Sequence, residues 1–386
     1  MSHTSTAPSL FNRKNPFPAP LLENRRLNKD GSTKDTRHFS LSLEGSGIVY
    51  SPGDVLGVFA ENPRDLVLEF LGLLNLSPET TVLAGETSPT LVQELRKNFI
   101  LNRLNKKFVK LVADKLSAGS FKDRLAGICL DEAKLDEYVE SRDPVDLLRE
   151  ASGVRLSPEE IFAFLAKSSP RLYSIASSQD VHPGEVHLTV AVVQYTTHGS
   201  TKRGFASGYL AHHRAIGETV PVFLQPTRHF HMPPSGDTPM IMVGPGTGIA
   251  PLRAFLEQRE HDGATGKTWL FFGDQRASTD FLYEEELRTF LKKGVLHRLD
   301  TAFSRDQEAK FYVQHRMREN AAELWKWIQD GAWFYVCGDA KRMAKDVHQT
   351  LIDIAAKQGG MDGEAAAHYV NVTLTKTEGR YLKDVY

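Results

Sequence analysis

The chain has 386 residues, a formal net charge of −1, and 41% hydrophobic and 25% charged residues, an ordinary globular balance with material for two or three domains and no overall field to recruit nucleic acid. Its two cysteines, Cys129 and Cys337, exclude a disulfide scaffold and a four-thiol cluster, so no metal site is expected. No apolar run is long enough to span a bilayer, and the Ser/Thr-rich stretch Met1–Leu10 lacks the layout of a secretory signal, so the cytoplasm is the expected compartment.

Residues 1–20 hold four prolines and read as an extended lead-in. From Leu21 to Ala60 the pattern is strand-like. Thr36–Leu43 alternates, Gly45 and Gly47 mark a turn, and Ile48–Tyr50 and Val55–Phe59 flank Pro52-Gly53-Asp54. This predicts a segment of an antiparallel barrel. After Pro63 apolar residues take helical spacing, as in Leu66, Phe70, Leu73 and Leu74. Helices are predicted over 64–75, 89–104, 106–117, 131–138 and 143–150, with a further start at Ser157-Pro158. Residues 64–167 thus read as a helical insertion in a barrel spanning 21–235.

Strand signals return at Arg171–Ala176, Glu185–Tyr195 and Val220–Leu224. After Asp237 strands and helices alternate. Strands are predicted over 239–243, 268–273, 294–303 and 333–337, and helices over 249–260, 283–292, 313–319, 321–329 and 341–359. That rhythm predicts a parallel α/β sheet over 236–386.

Six short motifs carry chemistry. Val243-Gly244-Pro245-Gly246-Thr247-Gly248-Ile249 joins a buried strand to a helix, where backbone amides and the helix dipole suit a diphosphate. Its spacing is not that of the dinucleotide fingerprint G-x-G-x-x-G. In Arg171-Leu172-Tyr173-Ser174, the Arg171 fork suits a diphosphate, the Tyr173 ring a flavin, and the Ser174 hydroxyl the flavin's reactive nitrogen. Read alone, the same residues are a barrel strand with a buried Tyr and a surface Arg. Gly204-Phe205-Ala206-Ser207 opens a second helix with small residues and offers a second anion cradle. Ser304, Arg305, Lys310 and Tyr312 place two cations and two hydroxyls beyond a strand, a set that suits the 2′-phosphate of NADPH; a solvated loop is the plain alternative. Cys337, in Tyr335-Val336-Cys337-Gly338-Asp339, ends a strand and is either near the chemistry or a structural thiol. The final Arg380–Tyr386 is either a loose end or a cap on a flavin face.

In this order the motifs resemble the ferredoxin–NADP reductase-type module of the diflavin reductases, the family that includes cytochrome P450 reductase and the flavoprotein subunit of NADPH-sulfite reductase. The likeness runs from about residue 15 onward and is strongest to the sulfite reductase branch, through RLYSIASSQ, MVGPGTGIAPLRAFLEQR, WLFFGDQRASTDFLYEEEL, AELWKWIQDGAWFYVCGDAKRMAKDV, GGMDGEAA and RYLKDVY. The resemblance implies FAD held by Arg171, Tyr173 and Ser174, with Gly204, Phe205, Ala206 and Ser207 at its diphosphate. It implies Gly246, Thr247 and Gly248 at the NADPH diphosphate, and Ser304, Arg305, Lys310 and Tyr312 at the 2′-phosphate. Ser174, Cys337 and Asp384 would surround the hydride path, and Tyr386 would stack on the flavin. No room is left for a flavodoxin domain, so FMN is not expected on this chain. The acceptor would be a separate protein: a sulfite reductase haem subunit, a flavodoxin or a ferredoxin. A stand-alone flavodoxin or ferredoxin reductase, or a catalytically weak docking subunit, are the alternatives. The role of residues 64–167 is open between a docking surface and structural filler.

Overall fold

The computed structural model describes residues 9–83 and 87–386; the part of the expected lead-in before residue 9 lies outside them. The strands are β1 (Phe17–Arg26), β2 (Thr36–Ser42), β3 (Val55–Val58), β4 (Arg171–Ser174), β5 (Glu185–Ala191), β6 (Gln194–Thr197), β7 (Ser200–Arg203), β8 (Thr219–Gln225), β9 (Met240–Val243), β10 (Thr268–Asp274), β11 (Arg298–Phe303), β12 (Trp333–Gly338) and β13 (Tyr381–Val385). The chain forms two compact units. One comprises the chain up to Gly57 with Leu172–Ala191 and Ile216–Tyr386; the other is Val58–Arg171 with Val192–Ala215. These units cut the chain differently from the boundaries expected near 64–167 and 236.

The first unit holds two sheets. A six-stranded sheet has the order β4-β3-β8-β1-β2-β5, and its pairs β1–β2, β1–β8 and β2–β5 are antiparallel. Strand β1 starts at Phe17, inside the expected lead-in. Its prolines fit because residues 17–20 pair with β8, while Leu21 and Glu23–Arg26 pair with β2 across a bulge. Pro18 and Pro20 therefore take no ladder bond away from a central strand. The expected strand Ile48–Tyr50 is irregular. Side chains take its amides instead: Ser46 Oγ accepts from Ile48 N–H at 3.0 Å and Gln179 Oε1 from Tyr50 N–H at 2.7 Å, the local competition that polar residues offer a ladder.

The second sheet has the order β11-β10-β9-β12-β13 and is parallel throughout. Helices cover both faces, so its strands are apolar on both sides. Along β9, Ile241 and Val243 enter one core with Leu324, Val347 and Leu351. Met240 and Met242 enter the opposite core with Leu252, Phe255 and Leu256 of helix Ile249–His261. The period-2 alternation of a strand distributes a uniformly apolar segment between two helix layers.

The second unit is mostly helical, with Arg64–Leu73, Leu91–Asn98, Lys106–Lys115, Ser120–Leu130, Glu132–Ser141, Pro144–Glu150 and Pro158–Phe164 around a core of Val67, Phe70, Leu95, Phe108 and Val112. The start at Ser157 is a complete capping box with Pro158 in the first turn, as the sequence predicts. Helix Ser120–Leu130 has no counterpart in the sequence reading; it fully buries only Leu125, so it shows little helical periodicity. The hairpin β6–β7 and helix Phe205–His212 complete this unit.

Candidate functional site

In the parallel sheet the chain leaves β9 towards β10 and β11 on one side, and reaches β12 and β13 on the other. The carboxyl end of β9 is thus the point of reversal, where open sheets of this kind bind ligands. The motif Gly244–Gly248 sits there. After Pro245, Gly246–Gly248 form one 3₁₀ turn that leads directly into helix Ile249–His261, and no side chain caps either start. The glycines have different reasons. A Cβ at Gly248 would lie 2.1 Å from the carbonyl oxygen of Cys337, so this position packs the turn against the end of β12. Gly246 has φ +56 and faces space, its nearest neighbours being Asp274 Oδ2 at 3.8 Å and Lys34 Nζ at 3.9 Å from a notional Cβ. A left-handed, side-chain-free residue beside an uncapped helix start fits a diphosphate.

Beside this turn lies a cavity of about 410 Å³ lined by Lys34, Gly246, Asp274, Ser304, Tyr312, Gln314, Asp339, Arg342 and neighbours. Of the four residues assigned to the 2′-phosphate, Ser304 and Tyr312 line it. Arg305 and Lys310 are exposed and outside the lining; the backbone N–H of Arg305 donates to the Gln275 carbonyl at 2.7 Å and so fixes the loop. The reading missed Lys34, Asp274, Gln314 and Arg342. Lys34 comes from the β1–β2 connection and reaches Asp274 at 2.6 Å. Burial pushes the Asp274 carboxyl up, against the opposing pull of Lys34. Only the place of Asp274 at the end of β10 is a sequence signal for this set.

The next corner belongs to the same unit. Strand β13 lies parallel to β12 with Cys337 opposite Asp384. Ser174 Oγ donates to Asp384 Oδ2 at 2.5 Å, and Cys337 Sγ lies 3.7 Å from the same oxygen. Burial, and then the Asp384 carboxylate, push the Cys337 thiol well up. Cys337 is therefore a neutral packing and donor group rather than a nucleophile. Tyr386 is 54% exposed. Its hydroxyl and that of Thr247 are 2.7 Å apart, its N–H donates to Gly338 O, and its carbonyl accepts from Ala340 N–H. It is tied into the sheet end rather than loose. The structure thus brings together Ser174, Cys337 and Asp384, and joins Tyr386 to Thr247 of the turn; Tyr173 is half-buried next to Ser174.

In the second unit, Gly204 precedes helix Phe205–His212, which likewise has no side-chain cap. Ser207 Oγ accepts from Val193 N–H at 3.1 Å, so this hydroxyl faces back to the preceding loop. Gly204 is closely packed: a Cβ there would lie 2.5 Å from Ser207 Oγ. The uncapped helix start fits an anion. Arg171 is exposed at the start of β4.

Residues 9–209, just over half of the chain, match the family model described as an FAD binding domain, and residues 242–349 match the one described as an oxidoreductase NAD-binding domain. The chain belongs to the FAD-binding domain family, with an oxidoreductase NAD-binding domain following. Among named proteins it is similar to the sulfite reductase [NADPH] flavoprotein alpha-component of Bacillus subtilis (strain 168), 45% identical over 386 residues, 99% of this chain and 63% of that protein. The proteins of the same name from Vibrio cholerae (strain N16961) and Zymomonas mobilis (strain ZM4) are each 44% identical, over 99% and 97% of this chain and 61% of their own length. The chain thus spans somewhat under two thirds of these relatives. Among the described residues, no helix is long and apolar enough to cross a membrane.

Proposed function

We propose that the chain is an NADPH-dependent FAD oxidoreductase that passes electrons to a separate protein, in the service of sulfite reduction to sulfide. The observation that carries the reading is the Ser174–Asp384–Cys337 cluster standing beside the diphosphate turn at the reversal point of the parallel sheet. The names of the relatives and the two family models that this chain matches support it.

In this reading Arg171, Tyr173, Ser174 and Gly204–Ser207 hold FAD. Bound FAD supplies the chemistry, taking hydride from NADPH and releasing electrons singly. The chain's own residues bind and orient. The amides of Gly246–Gly248 take the NADPH diphosphate, with the Lys34–Asp274 pair beside the turn. Ser304 and Tyr312 receive the 2′-phosphate end, with Arg305 and Lys310 supplying field from outside the cavity. Ser174 and Asp384 orient the nicotinamide, and the carboxylate favours the positive charge that grows on its ring as hydride leaves. The Tyr386 ring covers the approach, and NADPH must displace it. The electron acceptor is a sulfite reductase haem subunit, reached directly or through a flavodoxin, and the site of action is the cytoplasm.

The test is direct. Protein purified with FAD is mixed anaerobically with NADPH while the flavin absorbance is followed, then supplied with ferricyanide. Rapid bleaching and reoxidation are expected. A colourless protein that cannot bleach added FAD defeats the reading.

A further inference from the structure

Helix Ile249–His261 does more than begin at the nucleotide turn. One turn into it stands Arg253 and, one turn further, Glu257. Both side chains are 7% exposed and pair at 2.8 Å. Together they hold the segment that follows β4. Arg253 Nη1 donates to the Ala176 carbonyl at 2.6 Å, and Glu257 Oε2 accepts from the Ser178 amide at 2.8 Å. The rest of the guanidinium is also engaged. Its Nε donates to Glu286 at 2.6 Å, and it lies 5.0 Å from the Tyr283 ring centre. Glu257 Oε1 in turn meets His182 at 3.0 Å.

This places a buried charged clamp between two elements of the proposed reaction. At its helical end is the turn Gly246–Gly248. At its strand end is Ala176, two residues beyond Ser174. The backbone is gripped at one carbonyl and one amide, so the hold fixes strand position along its own axis as well as sideways. The circuit closes elsewhere: Ser174 bonds Asp384, β13 pairs with β12, and the end of β12 packs on Gly248. A guanidinium is costly to bury, and a well-packed apolar side chain would serve stability as well or better. What the apolar residue would not supply is directional bonding in a fixed fork.

We infer that Arg253, braced by Glu257, is a positioning residue that sets the offset between the nucleotide turn and Ser174, and with it the distance over which hydride moves. Its guanidinium is taken up by Ala176, Glu257 and Glu286, so it acts through the backbone it holds. The inference rests on the reductase reading.

The test uses the FAD-loaded full chain with Arg253→Met, Arg253→Lys and Glu257→Gln. FAD content, NADP⁺ affinity and thermal midpoint are measured first. Flavin reduction is then followed by stopped flow at saturating NADPH, with protiated and nicotinamide-deuterated NADPH. In Arg253→Met, reduction at saturation is expected to slow about tenfold to a hundredfold, the scale of a sub-ångström to 1 Å misplacement. The deuterium effect is expected to rise, NADP⁺ affinity to stay within about threefold, and Arg253→Lys to recover part of the rate, since it keeps the charge without the fork. A lower thermal midpoint alone, with rate and isotope effect unchanged, overturns the inference. So does a loss confined to NADP⁺ affinity. Should Arg253→Met not retain FAD, Glu257→Gln decides: it keeps shape and an acceptor for Ser178 but loses the charge bracing Arg253, and a wild-type rate and isotope effect there overturn the proposal. Wild-type protein that fails to bleach at all sinks the reductase reading instead.

Discussion

Replacing Gly248 by alanine tests the geometry of the nucleotide turn with one methyl group. The added Cβ would stand 2.1 Å from the Cys337 carbonyl oxygen and 2.7 Å from its carbonyl carbon. Ordinary contact begins near 3.4 Å, and both obstructing atoms are backbone of a central strand, which cannot rotate away. The turn must therefore retreat from the end of β12 by roughly 1 Å, the size of misplacement that costs about 10²-fold when reacting groups are involved. Gly246→Ala is the companion variant. It meets no protein atom nearer than 3.8 Å and carries the left-handed backbone penalty, about 1–2 kcal/mol of stability, together with a methyl group in the space given to the diphosphate. Stopped-flow reduction of bound FAD across an NADPH titration, with a thermal melt of each variant, reads both terms. Gly248→Ala is expected to stay folded and slow reduction at saturating NADPH about a hundredfold, while Gly246→Ala loses melting temperature and raises the NADPH requirement but loses less than about tenfold in the rate at saturation. Wild-type reduction by Gly248→Ala, or a greater loss of saturated rate from Gly246→Ala, refutes the packing argument.

Asp384→Ala is expected to cost about 1–4 kcal/mol in the hydride step, the range of one oriented polar group, and Ser174→Ala less than or equal to that; reduction at the wild-type rate in the Asp384 variant removes it from the site. Tyr386→Ala should tighten nicotinamide binding and shift preference towards NADH, because displacing the ring no longer opposes entry; equal affinities for both nucleotides before and after substitution count against a covering role. His187 is buried, and burial, then the charges of His182 and Arg253, pull its pKa down to about 4. Its folded value lies below the ordinary 6.5, so its contribution to stability is complete above that pH and is lost as pH falls towards 4, on the order of 2 kcal/mol by pH 5. Thermal melts between pH 7 and 5 should be steeper for the wild type than for His187→Gln; identical slopes dismiss this histidine as a source of acid lability.

Local patterns made the parallel sheet legible. Met240–Val243 followed by glycines and then by Ile249 announces a strand, a turn and a helix, because each carries its own short-range signal. The capping box at Ser157 was legible for the same reason. Strand β13 was not, since Lys383 and Asp384 interrupt any apolar alternation and its place is decided by pairing with β12. Of the candidate site, the glycine turn and the residues Ser174, Cys337 and Asp384 lie in recognisable motifs, and the structure brings Ser174 and Cys337 to one carboxylate oxygen of Asp384. Lys34 and Arg253 escaped for a common reason. A surface-looking lysine in a polar turn and an arginine on an apolar helix acquire their partners, Asp274 and the Ala176 carbonyl, only through tertiary contact.

The pairing of Lys34 with Asp274 bears on how far the protein can be dissected. A polypeptide cut at the start of the parallel sheet would carry the glycine turn and most of the nucleotide cavity. Yet it would leave behind the cation that offsets a carboxylate with only 2% of its side chain exposed. Such a fragment would bring an uncompensated negative group to the doorstep of an anionic guest. Swapping the parallel-sheet half between related proteins should therefore fail unless the short β1–β2 connection travels with the graft.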